Sequence, residues 1–157
     1  YGHSTITVNG ELHKVDGLVE LTNFQPGANP SASFDMAPAF GGLLTSASRN
    51  FVKDGSRSIL IEDEITISDS TEMITWQLMT QAEVETTAGG LLLKQDGKQL
   101  RVSNLTHPDM QAVVVELDPP PLELDRKIEH LKRIEYRYPA DMFANGKGSI
   151  QVRLAGD

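Results

Sequence analysis

The sequence of 157 residues predicts an all-β protein, an antiparallel β-sandwich with at most one short helix. Along most of the chain apolar and polar residues alternate with a period of two, which is typical of half-buried strands. About eleven such segments recur at a spacing of roughly 8–12 residues, as in sandwiches and barrels. The third observation is a set of hairpin turn signals between these segments: Asn9-Gly10, Asp54-Gly55 and Asp96-Gly97.

The first part of the chain contains two strand candidates and a long loop. Residues 5–8 alternate and run into Asn9-Gly10, which predicts a hairpin turn, and residues 18–24 form the next candidate strand. Residues 25–42 are rich in proline, glycine, alanine and serine, which favour turns or lack a backbone donor. We therefore expect a long surface loop there, of the kind that is often functional.

Two hairpins with Asp-Gly turns are predicted in the middle of the chain. Asp-Gly supplies the positive φ angles of a type I′ turn, so both hairpins are expected to close with two-residue turns. One joins residues 48–53 to 58–67, and the other joins residues 91–95 to 99–102. The remaining strand candidates are residues 74–80, 82–86, 111–117, 133–138 and 149–154.

One segment has a helical period. Leu124, Ile128, Leu131 and Ile134 lie at intervals of four, three and three residues, enough for two to three helical turns. Three prolines precede the segment, and the β-branched and aromatic residues at 134–138 favour a strand at its end. The pattern predicts either a short helix or an irregular stretch.

Length and charge limit the classes of protein. A chain of 157 residues has the size of one domain, so residues 1–157 are predicted to form one sandwich. Its 22 acidic and 14 basic residues give a net charge of −8, which argues against a nucleic-acid partner. No apolar run is long enough to span a membrane. The absence of cysteine excludes disulfides, thiol nucleophiles and cysteine zinc sites.

The histidines do not form a self-contained metal motif. A metal ion needs several ligands that converge on one point, and no two histidines stand at the i, i+2 spacing that serves this purpose in a strand. Each is interpreted by itself as a surface or half-buried imidazole. These residues are His3, His13, His107 and His130.

Two further features could carry chemistry. In Glu62-Asp63-Glu64, a strand places the first and third carboxylates on one face and Asp63 on the other, so the three cannot converge and a solvated sheet face is expected. Trp76, the one tryptophan, could stack on a sugar, but its position in the middle of a strand favours the core. The residues by themselves therefore predict no complete active site.

The N-terminal segment carries a family resemblance. Residues 2–10, Gly-His-Ser-Thr-Ile-Thr-Val-Asn-Gly, resemble the Ser-His-Asn-Thr-Val-x-Val-Asp-Gly strand of the heparinase II/III-like polysaccharide lyases. Residues 57–67, 76–86 and 92–102 are similar in order and character to later strands of that family. The resemblance covers about residues 2–117.

The resemblance implies an architecture and an activity. Such lyases pair an N-terminal α/α-toroid with a C-terminal antiparallel sandwich, are periplasmic or secreted bacterial proteins, and cleave uronic-acid-containing polysaccharides by β-elimination. The chain would then be the C-terminal portion of a larger lyase, whose toroid and first sandwich strands lie before residue 1. The rest of that lyase and its acidic polysaccharide are the implied partners. No catalytic residue falls within the chain, which is expected to be inactive alone.

The resemblance also implies a metal. In several members the histidine of this motif is a zinc ligand, and residue matching gives that role to His3, with the other ligands before Tyr1. Ser4 stands where the family has asparagine. If strands precede Tyr1, the sandwich has an unpaired edge, so the chain would be stable with its other half bound or after dimerising through that edge.

Two other functions stay open at this point. One is a non-catalytic carbohydrate-binding module, which predicts an exposed aromatic platform and fits poorly with 6% aromatic residues. The other is a purely structural sandwich that covers a neighbouring catalytic domain. The sequence does not separate heparan sulfate, heparin, alginate or another uronate polymer as the substrate, and no substrate-binding residue is identified.

Overall fold

Two antiparallel β-sheets make up the fold in the computed structural model, which describes residues 3–123 and 125–157. The strands in these ranges are β1 (Ile6–Val8), β2 (Glu20–Gln25), β3 (Ser31–Asp35), β4 (Leu44–Lys53), β5 (Ser58–Ile67), β6 (Met73–Thr80), β7 (Glu83–Thr87), β8 (Gly90–Gln95), β9 (Lys98–Asn104), β10 (Val113–Glu116), β11 (Lys132–Pro139) and β12 (Lys147–Gly156).

The two sheets differ in width. The small sheet has four strands in the order β1-β6-β11-β10, and the large sheet has eight in the order β2-β3-β4-β5-β12-β9-β8-β7. Their facing sides bury one continuous apolar cluster, to which both sheets contribute alternate residues of their strands. The predicted antiparallel sandwich is confirmed.

Trp76 and Tyr136 show how the alternation builds the core. They are directly opposite each other on β6 and β11, and each is 1% exposed. Ile150 and Val152 of β12 are buried on the facing side of the large sheet. Removing such large side chains from water is the main favourable contribution to folding.

The two Asp-Gly hairpins differ in their turns. Asp96 and Gly97 both have positive φ, 51° and 73°, and join the paired residues Gln95 and Lys98, so the predicted two-residue turn is confirmed. The hairpin of β4 and β5 also forms, but residues 54–57 connect its strands and the predicted two-residue turn is wrong. The backbone N–H of Asp54 donates to the carbonyl of Ser58, which closes a wider loop.

Asn9-Gly10 forms a turn but not a hairpin. Both residues have positive φ, 54° and 71°, yet β1 pairs with β6 rather than with the next strand, so the predicted hairpin is wrong. The Asn9 side chain explains the choice: its oxygen accepts hydrogen bonds from the backbone of Glu72 and Met73. These bonds fix the end of β1 to the start of β6.

The predicted loop of residues 25–42 contains regular structure. β3 lies within it, between β2 and β4, and a 3₁₀ turn follows at Ala37–Phe40. The prediction of one long loop is therefore wrong for Gln25, which ends β2, and for residues 31–35 and 37–40. Small alanine and serine residues have weak strand propensity, but β3 is paired on both sides, and that tertiary pairing overrides the local preference.

The segment with a helical period is not helical where the structure describes it. Ile134 lies in β11, residues 125–131 form turns and irregular backbone, and Leu124 lies outside the described residues. The helical elements of the described ranges are three 3₁₀ turns, Ala37–Phe40, Ala140–Met142 and Ala144–Gly146. In these same ranges no helix has the length and apolar character needed to cross a bilayer.

Candidate functional site

His3 lies on the segment that leads into β1. Its imidazole is exposed, and its backbone carbonyl accepts a hydrogen bond from the N–H of Thr5 at 3.0 Å. The residue that the resemblance singles out is therefore at the surface and close to a strand of the small sheet. Gly2, the first residue of that motif, lies outside the described residues, as does Tyr1.

Ser4 ties this segment to both sheets. Its backbone carbonyl accepts a hydrogen bond from Nη1 of Arg49, on β4 of the large sheet, at 3.1 Å. Its hydroxyl oxygen accepts one from the backbone N–H of Met79, on β6 of the small sheet, at 3.0 Å. The backbone next to His3 is thus held at two points.

Arg49 makes this contact from within a buried ion pair. Nε and Nη2 of Arg49 donate to the two carboxylate oxygens of Asp63 at 2.6 and 2.8 Å, and the two side chains are 4% and 1% exposed. Burial raises the pKa of Asp63, and the hydrogen-bonded guanidinium of Arg49 opposes that shift. One guanidinium therefore joins β4, β5 and the N-terminal segment.

For the acidic cluster Glu62-Asp63-Glu64, one of the two predictions is confirmed, namely that the three carboxylates do not converge. Glu62 and Glu64 share the outer face of β5 and Asp63 points the other way, so the three carboxylates do not converge. The expectation of a solvated face is wrong for Asp63, which lies in the core. The sequence signal for this pair is weak, since Arg49 and Asp63 are 14 residues apart and meet only through the register of β4 and β5.

The other histidines do not join His3 in a metal site. His13 is half-buried, with Nε2 2.9 Å from the carbonyl oxygen of Ile6 and its ring edge-on to Phe40. His107 lies against Tyr138, and His130 is exposed at a turn. Within residues 3–123 and 125–157, no three His, Asp or Glu side chains are grouped so that they could hold a metal ion. The described residues do not form a zinc site by themselves.

The aromatic residues of the small sheet belong to the core. Trp76 lies 6.0 Å from Tyr136, centroid to centroid, and is buried, so it cannot serve as a sugar platform. The prediction that Trp76 belongs to the core is confirmed. Burial raises the pKa of Tyr136 and, more strongly, that of Tyr138. Two buried tyrosines with raised pKa values are unsuitable as a base for proton abstraction.

The outer face of the small sheet has a polar cluster that the sequence analysis missed. Glu135, 3% exposed, accepts a hydrogen bond from Nε of Arg133 at 2.6 Å and pairs with Nη2 of Arg137 at 2.6 Å. Next to it Gln77 donates to the hydroxyl of Thr7 at 3.1 Å. The signal was the Arg-x-Glu-x-Arg spacing, which places all three charged groups on one face of β11.

A shallow groove, most of whose lining residues are polar, crosses the outer face of the large sheet. Such a face can hydrogen-bond a polar chain, but its lining offers no aromatic ring and no histidine. The residues that line it are Ser46, Ala47, Ser48, Glu64, Ile65, Thr66, Lys147, Gly148 and Ser149.

Comparison with known proteins finds structures but no sequence relative. No family model and no curated protein matches the chain. The fold is similar to the heparan sulfate lyase HepC from Pedobacter heparinus, with TM-scores of 0.68 for a mutant and 0.66 for the unmodified enzyme, both at 12% identity. It is also similar to the heparinase III BT4657 gene product, with TM-scores of 0.69 and 0.70 at 11% and 12% identity.

These matches cover a much larger share of this chain than of the matched chains. Each covers 99% of this chain, but only 23–24% of the matched chain. The chain therefore corresponds in fold to about a quarter of a heparinase structure. At this level of identity the likeness shows the fold relationship.

Proposed function

We propose that the chain is the C-terminal β-sandwich portion of a heparinase II/III-like polysaccharide lyase, a carbon–oxygen lyase that cleaves uronic-acid-containing polysaccharides. The observation that supports this most strongly is the fold match over 99% of the chain to a quarter of two heparinases. The N-terminal motif of residues 2–10 supports it independently, since it rests on sequence.

In the proposed division of labour, the sandwich does not carry out the chemistry. β-Elimination requires a base that removes the proton at C5 of the uronate and a group that neutralises its carboxylate. Tyr136 and Tyr138 are buried, and the exposed His3 has no grouped partner among the described residues. The base and the neutralising group would come from the α/α-toroid of the longer protein.

We include a zinc ion in this proposal, with His3 as one ligand in the longer protein. The hydrogen bonds that Ser4 accepts from Arg49 and Met79 support the role, because they hold the backbone beside His3 in place. The bound metal would join the sandwich to residues upstream, and its binding free energy would add to the stability of the folded protein. A bacterial periplasmic or secreted location belongs to the same proposal, since the polymer is extracellular.

An activity assay tests the lyase proposal. The complete polypeptide encoded by the gene and the 157-residue chain are each mixed with heparin, heparan sulfate and alginate, and the absorbance of the unsaturated uronate is followed. We expect turnover of at least one polymer by the complete polypeptide and none by the chain alone. Failure of the complete polypeptide on all three contradicts the lyase, and turnover by the isolated chain contradicts the division of labour.

The zinc proposal is tested separately in the complete polypeptide. The His3→Ala variant is expected to lose bound zinc, measured by elemental analysis, and to melt at a lower temperature. His130→Ala is the matched control, because His130 is exposed and distant in sequence. Full zinc occupancy in the His3 variant, or no metal in the wild type, contradicts the assignment.

A further inference from the structure

The large sheet extends beyond the small sheet that covers it. The small sheet has four strands and the large sheet eight. At one end, Arg49 of β4 reaches the segment before β1, which places the edge of the small sheet over β4. The inner face of β3 and β2 lies beyond that edge.

A bulge makes this uncovered end apolar. The register of β2 against β3 shifts between Leu21 and Asn23, so Leu21 pairs with Phe34 and Phe24 pairs with Ala32. Phe34 and Ala32 are two residues apart and share a face, and the shift therefore puts Leu21 and Phe24 on that same face. Without the extra residue the two side chains would point to opposite sides.

The exposed apolar residues are concentrated here. Six of the eleven large apolar side chains that are exposed in the described residues fall between residues 12 and 24: Leu12 (66% exposed), Val15 (105%), Leu18 (66%), Val19 (44%), Leu21 (56%) and Phe24 (60%). The register of β2 against β3 places two of them, Leu21 and Phe24, on one face, and we call these two side chains the β2 patch.

We propose that the β2 patch is the surface on which the rest of a longer polypeptide packs. The structures that the chain matches are about four times its length, so three quarters of each lies outside the matched part and is available to cover such a patch. The inference rests on the proposed function only for the existence of that longer polypeptide.

The charges around the patch specify the chemistry of the partner surface. Residues 11–20 expose three acidic side chains, Glu11, Asp16 and Glu20, and one basic side chain, Lys14, and the chain carries a net charge of −8. Basic residues on the partner surface would complement these acidic groups. The occupant is thus an apolar surface with a basic rim.

A second copy of the chain fits the patch less well. β2 is an edge strand and could pair with another β2, but the register shift after Leu21 interrupts the regular ladder that edge pairing needs. The same shift places Leu21 and Phe24 on one face, where a partner can pack on their side chains, and disfavours the addition of a further strand beside β2.

Hydrogen–deuterium exchange tests the proposal in the complete polypeptide and in the 157-residue chain. We expect slower exchange of residues 12–25 in the complete polypeptide, and loss of that protection in a Leu21→Asp, Phe24→Asp variant. Leu122→Asp is the matched control, because Leu122 is 60% exposed and outside the patch. Both variants are expected to leave the melting temperature of the isolated chain within about 2 °C.

The possible outcomes distinguish between the rest of a longer polypeptide and a second copy of the chain as the partner that covers the β2 patch. Equal exchange of residues 12–25 in the two proteins overturns the proposal, as does a gene that encodes nothing beyond this chain. A dimer of the isolated chain that the patch variant dissociates, with no protection in the complete polypeptide, identifies a second copy and also overturns it. Protection in a complete polypeptide that has no lyase activity supports this inference and contradicts only the lyase.

Discussion

The centre and the β2 end of the large sheet follow the same alternating pattern but have opposite surroundings. At the centre, Arg49 and Asp63 are charged and almost fully buried. At the β2 end, Leu21 and Phe24 are apolar and more than half exposed. Polarity therefore does not decide which residues of this sheet are covered; the width of the small sheet does.

This difference shows where stability and interaction are located. The ion pair at the centre is sustained by hydrogen bonds that replace those lost to water, and it fixes the segment next to His3. At the β2 end, no part of the described residues covers Leu21 and Phe24 enough to remove them from water. A region that is apolar and exposed contributes little to the stability of the chain but has free energy to gain from a partner.

The largest effect is expected from breaking the ion pair. Asp63→Ala leaves the guanidinium of Arg49 buried without its carboxylate, which is expected to lower the free energy of unfolding by about 3–5 kcal/mol. Glu64→Ala, at the neighbouring exposed position, is the control and should change it by less than about 0.5 kcal/mol. Urea unfolding followed by the fluorescence of Trp76, the one tryptophan, measures both.

A double variant sharpens this result. Replacing the pair together, Arg49→Met with Asp63→Leu, removes both charges and is expected to be more stable than Asp63→Ala alone. A double variant as unstable as the single variant would mean that the pair is needed for its hydrogen bond to Ser4 rather than for mutual neutralisation.

The second prediction compares two leucines of the same sheet. Leu91, 1% exposed, and Leu21, 56% exposed, lose the same atoms on substitution by alanine. Leu91→Ala is expected to cost about 2–5 kcal/mol because it opens a cavity in the core. Leu21→Ala should stay within about 0.5 kcal/mol in the isolated chain. Equal costs in urea unfolding would show that the β2 end is covered in solution.

The smallest effect is expected at Tyr136. Its buried hydroxyl has no hydrogen-bond partner in the described residues, so Tyr136→Phe should change the free energy of unfolding by less than about 0.5 kcal/mol at pH 8. Burial raises the pKa of Tyr136 above its ordinary 10.0. Above that pH the unfolded tyrosine releases its proton while the folded one keeps it, so the wild type loses stability.

The pH dependence provides the check. Urea unfolding at about pH 8 and about pH 11 should show a steeper loss for the wild type than for Tyr136→Phe. Tyr138 has a raised pKa in both proteins, whereas the variant lacks the second tyrosine hydroxyl that ionises on unfolding. Parallel losses would mean that the hydroxyl of Tyr136 is solvated in the folded protein.

The candidate site was predictable only in part. His3 was singled out because its neighbours resemble a known motif, and its role as a ligand stays a prediction. Strand geometry predicted that Asp63 faces away from Glu62 and Glu64, as the structure has it. The partner of Asp63 was not found, since Arg49 reaches it through the register of two strands. Register depends on turns and on which strands meet, and the turn at Asp54-Gly55 was longer than its sequence predicted.

The sequence by itself determined the all-β class, most of the strands and the Asp96-Gly97 turn, because alternation and positive-φ residues act locally. Tertiary structure decided that β1 pairs with β6, that β3 forms within the proline- and glycine-rich segment, and that the helical period of residues 128–134 ends in a strand. It also decided that only part of the large sheet is covered. Each of these depends on contacts between residues distant in sequence, whose free energies exceed local preferences of about 1 kcal/mol or less per residue.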